Sequence, residues 1–296
     1  MGAIDKSVFE LVRLALREDI GPGDVTSLAC LEPEMITGRV VAKKPGVLSG
    51  LIPARIAFEI VDSANRFIPR IKDGTAFEPG DVIVNLEGLN RTILTAERVA
   101  LNFLAHLSGV ATLTRKFVDK VGKRPCKILD TRKTTPGWRF LEKAAVVHGG
   151  GANHRQGLYD MMLIKDNHIA AAGSIAAAVD RARKYLNSVD FGRQFQTDPS
   201  KIEIEVEVTS QDELKEAVES GITRLLLDNQ TPASLAELVS YGRSISDNLT
   251  LEASGNVNLD TVESMAEAGV DLISIGALTH SAPVCDLSLR VDQSGT

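Results

Sequence analysis

The amino-acid sequence predicts an α/β protein in which an α+β segment precedes a parallel α/β barrel, and three observations carry that prediction. From about residue 127 onward, short apolar strands alternate with helical segments over about six units, a pattern that implies a parallel sheet. Nearly every one of these strands ends in a residue able to do chemistry: Arg132, Lys133, Lys165, Glu207, Asp228, Ser254 or Gly276. Chemistry spread over the ends of several strands is the habit of a barrel mouth. Finally, no G-x-G-x-x-G or G-x-x-x-x-G-K-[ST] follows a strand, as a doubly wound nucleotide-binding sheet would require. A length of 296 residues accommodates one barrel of about 250 residues with an addition, or two modest domains.

In the first part, residues 7–17 place Val8, Leu11, Val12, Ala15 and Leu16 at helical spacing, and Asp19-Ile-Gly-Pro-Gly-Asp24 ends that helix with turn residues. Residues 36–42 and 81–86 are rich in β-branched side chains and read as strands, whereas 51–61 and 95–121 read as helices. In the second part the strands fall at 128–129, 161–164, 202–208, 225–227, 249–253 and 272–275. Helices fit between them at 174–186, 210–219, 232–241 and 259–268. The second of these opens on the capping box Ser210-x-x-Glu213, and the last carries Asp260-x-x-Glu263 at its start.

Apolar residues at 44% and charged residues at 24% exclude a disordered chain, a collagen and a coiled coil. The net charge of −6 supplies no global field for nucleic acid or an anionic membrane, so neither is expected as a partner. The apolar run 169–179 is too short to span a bilayer. Asp5, Lys6 and Glu10 stand where a signal peptide needs a continuous apolar stretch. Cys30, Cys126 and Cys285 have neither a C-x-x-C nor a metal-ligand spacing, and are expected to be reduced thiols packing as small apolar residues in a cytoplasmic protein. His106 and His280 are expected to satisfy local hydrogen bonds.

Charge is unevenly distributed. Residues 123–168 hold nine Lys and Arg against four Asp and Glu, with His148, His154 and His168 besides, inside a chain that is acidic overall. The bland account is a solvated basic face. These cations, however, alternate with Thr134-Thr135-Pro136-Gly137 and Gly149-Gly150-Gly151, segments suited to tight backbone around a ligand. Several Arg and Lys in one mouth match a ligand with multiple carboxylates or phosphates. Glu207 and Asp228 fit such a site when Mg²⁺ is added, because that ion keeps most of its water and takes one or two carboxylates. For Glu205 a barrel-mouth ion pair with a nearby Lys is the favoured reading. Ser254-Gly255-Asn256 and Gly276-Ala277 are suited to a backbone N–H cradle for phosphate.

Taken together, these residues resemble a known family. The blocks Asp130-Thr-Arg-Lys-Thr-Thr-Pro-Gly137, Leu141-Glu-Lys143, His148-Gly-Gly-Gly151, Asn153-His-Arg155 and Leu163-Ile-Lys-Asp-Asn-His168 are similar to those of the quinolinate phosphoribosyltransferases. Supporting blocks run the whole length: Glu18-Asp-Ile-Gly-x-Gly-Asp-x-Thr26, Ala96-Glu-Arg-x-Ala-Leu-Asn102, Leu107-Ser-Gly109, Glu205-x-Glu207, Leu226-Leu-Asp-Asn229, Glu252-Ala-Ser-Gly-Asn256 and Ile275-Gly-Ala-Leu278. Trp138 departs from the smaller apolar residue expected there, and should affect loop packing rather than chemistry.

The resemblance implies an N-terminal α+β sandwich domain over 1–118, joined by a C-terminal tail 280–296, and an incomplete α/β barrel of the type II phosphoribosyltransferase kind over 119–279. It implies a homodimer or dimer-based hexamer with active sites shared between subunits, and quinolinate and phosphoribosyl pyrophosphate as substrates. Arg98, supplied by the neighbouring subunit, would join Arg132, His154, Arg155 and Lys165 around quinolinate. Thr131, Lys133, Lys165, Glu207, Asp228, Ser254, Gly255, Asn256, Gly276 and Ala277 would hold phosphoribosyl pyrophosphate. Lys133, Lys165, Glu207 and Asp228 are the candidate catalytic residues, with Glu207 and Asp228 carrying the Mg²⁺ cofactor directly or through water. The block 18–26 is expected to be a structural cap and turn. Residues alone leave open a Schiff-base aldolase acting through Lys133 or Lys165, and a non-catalytic phosphate-binding module for which Glu207 and Asp228 would be superfluous. A paralogue with another acceptor, such as the molybdenum-transport-associated members, is disfavoured by Asn153-His-Arg155 and Arg132-Lys133.

Overall fold

The computed structural model describes residues 3–292; residues 1–2 and 293–296, the outer ends of the limits 1–118 and 280–296, lie outside the described residues. In chain order the elements begin with α1 (Ala3–Ile20), α2 (Val25–Cys30), β1 (Met35–Ala42), β2 (Gly46–Val47), α3 (Leu51–Val61), β3 (Arg66–Pro69), β4 (Ala76–Phe77), β5 (Val82–Leu89) and α4 (Asn90–Val121). Next come β6 (Lys127–Leu129), α5 (Arg139–His148), β7 (Met162–Ile164), α6 (Asp166–Ala172), α7 (Ile175–Leu186) and α8 (Val189–Phe195). After a 3-10 turn at Pro199–Lys201 follow β8 (Ile204–Val208), α9 (Gln211–Glu219), β9 (Arg224–Asp228), α10 (Pro232–Ile245), β10 (Thr250–Ser254), α11 (Val262–Glu267), β11 (Leu272–Ser274), α12 (Ala277–His280) and β12 (Leu287–Val291).

The chain divides into two compact units. The first comprises Met1–Arg115, Thr135–Gly150 and Leu278–Thr296, and the second Lys116–Thr134 and Gly151–Ala277. Residues 135–150, inside the sequence-based barrel limits, thus belong to the first unit.

In the first unit an antiparallel sheet runs in the order β12-β1-β5-β3, with a separate β2-β4 pair. The register sets Gly38 of β1 opposite Val291 of β12 and opposite Leu86 of β5. Leu48, Phe58, Phe77, Ile83, Leu86, Ile93, Phe103 and Leu104 are buried in its core. The Leu107-Ser-Gly109 block has a packing cause. The Ser108 hydroxyl accepts from the Ser49 N–H at 3.0 Å and donates to the Ser49 carbonyl at 3.1 Å, while a Cβ on Gly109 would stand 2.2 Å from the Pro283 carbonyl oxygen. Trp138 stacks on Phe103 at 4.5 Å between ring centroids and meets His106 edge-on at 5.2 Å, a packing role as expected. His106 Nε2 pairs with Glu142 Oε1 at 2.7 Å, and His280 Nδ1 with the Ser281 hydroxyl at 2.6 Å.

The second unit holds six parallel strands in the order β6-β11-β10-β9-β8-β7. Successive strands β7 to β11 are neighbours and β6 adds beside β11, the cyclic order of a barrel, yet β6 and β7 do not pair. Between them in sequence, Ala152 makes a single parallel bridge to Leu129. This is an incomplete barrel, as expected. Val206, Val208, Leu225, Leu227, Leu251 and Ile273 are fully buried and alternate with the site-bearing residues, which places them beneath the surrounding helices. Phe191, from the unanticipated α8, packs with Leu186, Ile202, Met162, Phe195 and Ile204 beside the starts of β7 and β8.

Two cap expectations need correction. Ser210 does cap α9, accepting from Glu213 N–H at 3.2 Å, but the Glu213 carboxylate accepts from Thr209 rather than from the Ser210 N–H, so the box is only half made. Asp260 does not cap α11. Instead, Asn258 Oδ1 accepts from the N–H groups of Asp260 and Thr261 at 2.9 and 3.1 Å. The thiol expectation fails for Cys30, which is exposed at the end of α2.

Candidate active site

The gap in the barrel is where the cations gather. Arg132 follows β6, Arg155 lies in the loop 151–161 that crosses from the Ala152 bridge to β7, and Lys165 follows β7 directly. With His168 and Arg181 they line a cavity of about 640 Å³ whose apolar wall includes Met161, Leu163 and Ile164. Local bonds hold this loop. Asp130, fully buried, accepts from His154 N–H at 3.0 Å, and Asp160 accepts from Gln156 and Gly157 N–H at 2.6 and 2.8 Å. The Arg155 guanidinium donates to the Met161 carbonyl at 3.2 Å. Burial and then the neighbouring Arg132 charge hold Arg155 below its usual value, against Glu205 and Asp160, although a guanidinium remains charged throughout the physiological range. The cavity therefore presents a dense positive charge over an apolar floor.

Beside it stand the acidic strand ends. Glu207 lies opposite Leu226 in the β8-β9 register, and Asp228 opposite Ser254 in the β9-β10 register. Lys165 Nζ pairs with Glu207 Oε2 at 2.6 Å, tying the cationic cavity to the acidic side. The adjoining turns form one group. Asn229 N–H donates to the Ser254 carbonyl at 2.9 Å, and Asn256 Nδ2 donates to Asn229 Oδ1 at 3.3 Å. Asn229 and Asn256 have φ of 52° and Gly255 of 90°; a Cβ on Gly255 would lie 2.2 Å from Asn229 Oδ1, so glycine is required there. Gly276 and Ala277 follow the adjacent strand β11.

Below this mouth the barrel interior is ionic. Glu205 and Glu252 are fully buried on β8 and β10, flanking Arg224 of β9. Arg224 Nε donates to Glu205 and Nη2 to Glu252, both at 3.1 Å, while Nη1 reaches the exposed Glu203 at 3.1 Å. His154 Nε2 faces Glu205 Oε2 at 3.1 Å and Glu252 Oε1 at 3.3 Å. His154, Glu205 and Glu252 bring ligand atoms within 4.8 Å of one another, a grouping that could hold a metal ion. Here Arg224 already supplies a cation to both carboxylates.

The His154 imidazole is subject to opposing effects. Burial disfavours its charge, but hydrogen bonds and charge from Glu205 and Glu252 prevail and raise it to about 9. Arg155 N–H points at Nδ1 from 2.7 Å, a bond only the neutral ring accepts. That bond is worth about 1 kcal/mol. With a neutral ring, two buried carboxylates would share one guanidinium, and an unbalanced buried charge costs several kcal/mol. The imidazolium prevails. Glu252 in turn is held below the usual carboxylate range: burial opposes this, and His154, Ser274 and Arg224 outweigh it.

The structure brings Arg132, Arg155 and Lys165 into one cavity and Asp228, Ser254, Gly255 and Asn256 into one set of turns. His154 sits within the ionic layer, its side chain only 6% exposed. Lys133 is exposed, its backbone N–H donating to the Thr131 hydroxyl at 3.0 Å. Arg98 is exposed and lines a different cavity, of about 850 Å³, within the first unit, beside Lys44, His106 and Trp138. The basic window is not one site: Arg124 pairs with Glu263 and Glu267, while Arg139, Lys143 and His148 belong to the first unit. Glu205 is an ion-paired residue as expected, but its partners are Arg224 and His154 rather than a lysine, below the mouth. Sequence reasoning assigned no role to His168, Arg181, Arg224 or Glu252. Arg181 shares a helix face with Ala178 three residues earlier, and Glu252 is a charge inside an apolar strand two residues before Ser254, so both carried a readable signal.

Known proteins resemble this chain over most of its length. Residues 24–108 match the N-terminal domain of quinolinate phosphoribosyl transferase, and residues 110–290 match its C-terminal domain. The chain belongs to the quinolinate phosphoribosyl transferase family. Among its relatives, the probable nicotinate-nucleotide pyrophosphorylase [carboxylating] of Bacillus subtilis is 39% identical over 94% of this chain and 91% of its own. The chloroplastic nicotinate-nucleotide pyrophosphorylase [carboxylating] of Arabidopsis thaliana is 40% identical over 95% of this chain and 82% of its own. The solved nicotinate-nucleotide pyrophosphorylase of Francisella tularensis superposes with a TM-score of 0.89 at 38% identity, covering 97% of each chain. Among the described residues no helix is long and apolar enough to cross a membrane.

Proposed function

We propose that this chain transfers the phosphoribosyl group of phosphoribosyl pyrophosphate to quinolinate with loss of CO₂, releasing pyrophosphate and nicotinate mononucleotide for NAD synthesis. The observation that carries the reading is the cavity of Arg132, Arg155 and Lys165 beside the Glu207 and Asp228 strand ends, in a chain whose relatives bear that activity in their names. Two carboxylates on a pyridine ring match several converging cations on an apolar wall. A ligand with one carboxylate would leave a cation of the cavity unmatched. That disfavours nicotinate.

In the reaction, the bond from the ribose carbon to pyrophosphate breaks, and the pyridine nitrogen forms the new bond to that carbon. In this reading Lys133 and Lys165 would stabilise charge growing on pyrophosphate, and Glu207 and Asp228 would offset positive charge on the sugar. When the 2-carboxylate departs as CO₂, the electron pair of the broken bond stays on that ring carbon, stabilised by the adjacent quaternised nitrogen as an ylide, and the carbon then takes up a proton. The turns 254–256 and 276–277 would hold phosphate through backbone N–H groups. Glu207 and Asp228 are hard oxygen donors on neighbouring strands, a set that fits Mg²⁺ retaining water. Bound there, Mg²⁺ would neutralise pyrophosphate oxygens. A homodimer or larger dimer-based assembly, with Arg98 arriving from a neighbouring subunit, completes the proposal, and the setting is cytoplasmic.

The test is direct: the protein is incubated with quinolinate, phosphoribosyl pyrophosphate and Mg²⁺, and CO₂ and nicotinate mononucleotide are measured. Product in equal amounts is expected. Folded protein that yields none overturns the assignment.

A further inference from the structure

Three charged groups inside the barrel have no part in the proposed reaction as set out above. Glu205, Glu252 and Arg224 lie on three adjacent strands and converge on one imidazole. Both glutamates are fully buried, and Arg224 bonds to both. Since both groups facing His154 Nε2 are carboxylate oxygens, that nitrogen is a donor: it bonds to Glu205 Oε2 and faces Glu252 Oε1 as an ion pair, while the backbone N–H of the same residue is held by Asp130.

We propose that Arg224, Glu205 and Glu252 are positioning residues that hold His154, the residue before Arg155 of the anion cavity, as a cation in the ionic layer, so that it meets a substrate carboxylate beside Arg155. The inference rests on the proposed function for its consequence, but not for its geometry. Charge balance is the argument. Two carboxylates without solvent need two cations; Arg224 is one, and the ring is the other within hydrogen-bond reach. Asp130 accepts from the backbone N–H of His154, and Arg155 is the next residue. Glu203 is exposed and touches only the outer side of Arg224. Ser274 of β11 donates to Glu252 and so supports its ionised form. Arg224 acts only through the glutamates, and a lysine there, a point charge, could not span both as the guanidinium fork does.

The experiment follows the His154 ring by NMR from pH 5 to 10 in the full-length protein, with His154→Gln to assign the signal. In the unaltered protein the ring is expected to stay protonated to pH 8. Titration with a midpoint below 7 overturns the proposal whether or not the protein turns over quinolinate. In Glu252→Gln, an isosteric change, the midpoint should fall by at least one pH unit. The KM for quinolinate should then rise about tenfold between pH 6 and 8, while the KM for phosphoribosyl pyrophosphate stays within about twofold. Arg224→Lys should restore less than half of the quinolinate affinity lost in Arg224→Gln. A Glu252→Gln protein with an unmoved ring midpoint and a flat KM profile refutes the role, and an inactive protein with a high ring midpoint refutes only the proposed reaction.

Discussion

Arg155 is where the site is most exposed to a single change. It lies in the cavity next to Arg132, its guanidinium anchored on the Met161 carbonyl and its charge disfavoured first by burial and then by Arg132. A cation held at such cost is expected to matter when an anion arrives. Arg155→Ala should lower kcat/KM for quinolinate by roughly a hundredfold or more, the loss of a charged hydrogen-bonding partner. Its melting temperature should hardly change, because the substitution relieves repulsion between the two arginines; steady-state kinetics and a thermal melt check both halves. The cysteines offer a contrast. Burial, then the Asp271 charge, pushes the Cys126 thiol up to about 12, whereas Cys30 is exposed. At pH 8, iodoacetamide should label Cys30 at least a hundredfold faster than Cys126 in the native state, since only thiolate reacts; peptide mapping by mass spectrometry reads the ratio. Much of this was legible beforehand, because Arg132 and Lys165 each sit just past a strand and Arg155 falls in the Asn153-His-Arg155 block. Arg224 was not, because a charge at the start of an apolar strand shows its purpose only when the neighbouring strands are known.

At the scale of elements, the turn at 19–24 shows how a motif can be structural. Asp24 caps α2, with Oδ1 accepting from Thr26 and Ser27 N–H at 3.1 and 3.0 Å and Oδ2 from the Ser27 and Thr95 hydroxyls at 2.5 and 3.2 Å. Bonds from Ser27 chiefly, then Thr95 and Thr26, lower its pKa. A depressed carboxylate stabilises the fold above the unfolded value near 3.8, and loses that contribution as pH falls through the folded value. Asp24→Ala should therefore cost about 1 kcal/mol at neutral pH, the usual worth of an N-cap. Denaturant melts should show the difference shrinking as pH falls below about 3.8. Long elements were legible because their periodicity is long: α4, α7, α9 and α10 fall where helical spacing put them. Helix α6 was not, since its seven residues include none that is buried and so leave no apolar stripe to read. Nor was β12, a five-residue strand whose partner β1 lies some 250 residues earlier in the chain, a pairing no local pattern encodes.

At the scale of the whole molecule, the strand order is what turns a pattern into a site. Alternating strands and helices predict a parallel sheet, but not that the ring stays open between β6 and β7, because closure depends on whether the residues between them form a paired strand. Here they provide one bridge at Ala152, and the loop that carries it, with Gly151, Asn153, His154 and Arg155, fills the opening with cations instead. Arg98 belongs to the first unit and lines a cavity there with Lys44 and His106. Under the proposed function it serves the barrel of a neighbouring subunit, which makes a prediction no single-chain site would share. Arg98→Ala and Arg155→Ala should each be nearly inactive alone. After the two are mixed, unfolded and refolded together, half of the dimers pair one of each, and in a symmetric dimer each such pair rebuilds one intact site from Arg155 of one subunit and Arg98 of the other, so about a quarter of normal activity should return. Recovery that rises with the fraction of mixed dimers, measured by tagging one variant, establishes the shared site. Activity that never exceeds the sum of the two variants would place Arg98 in service of its own chain.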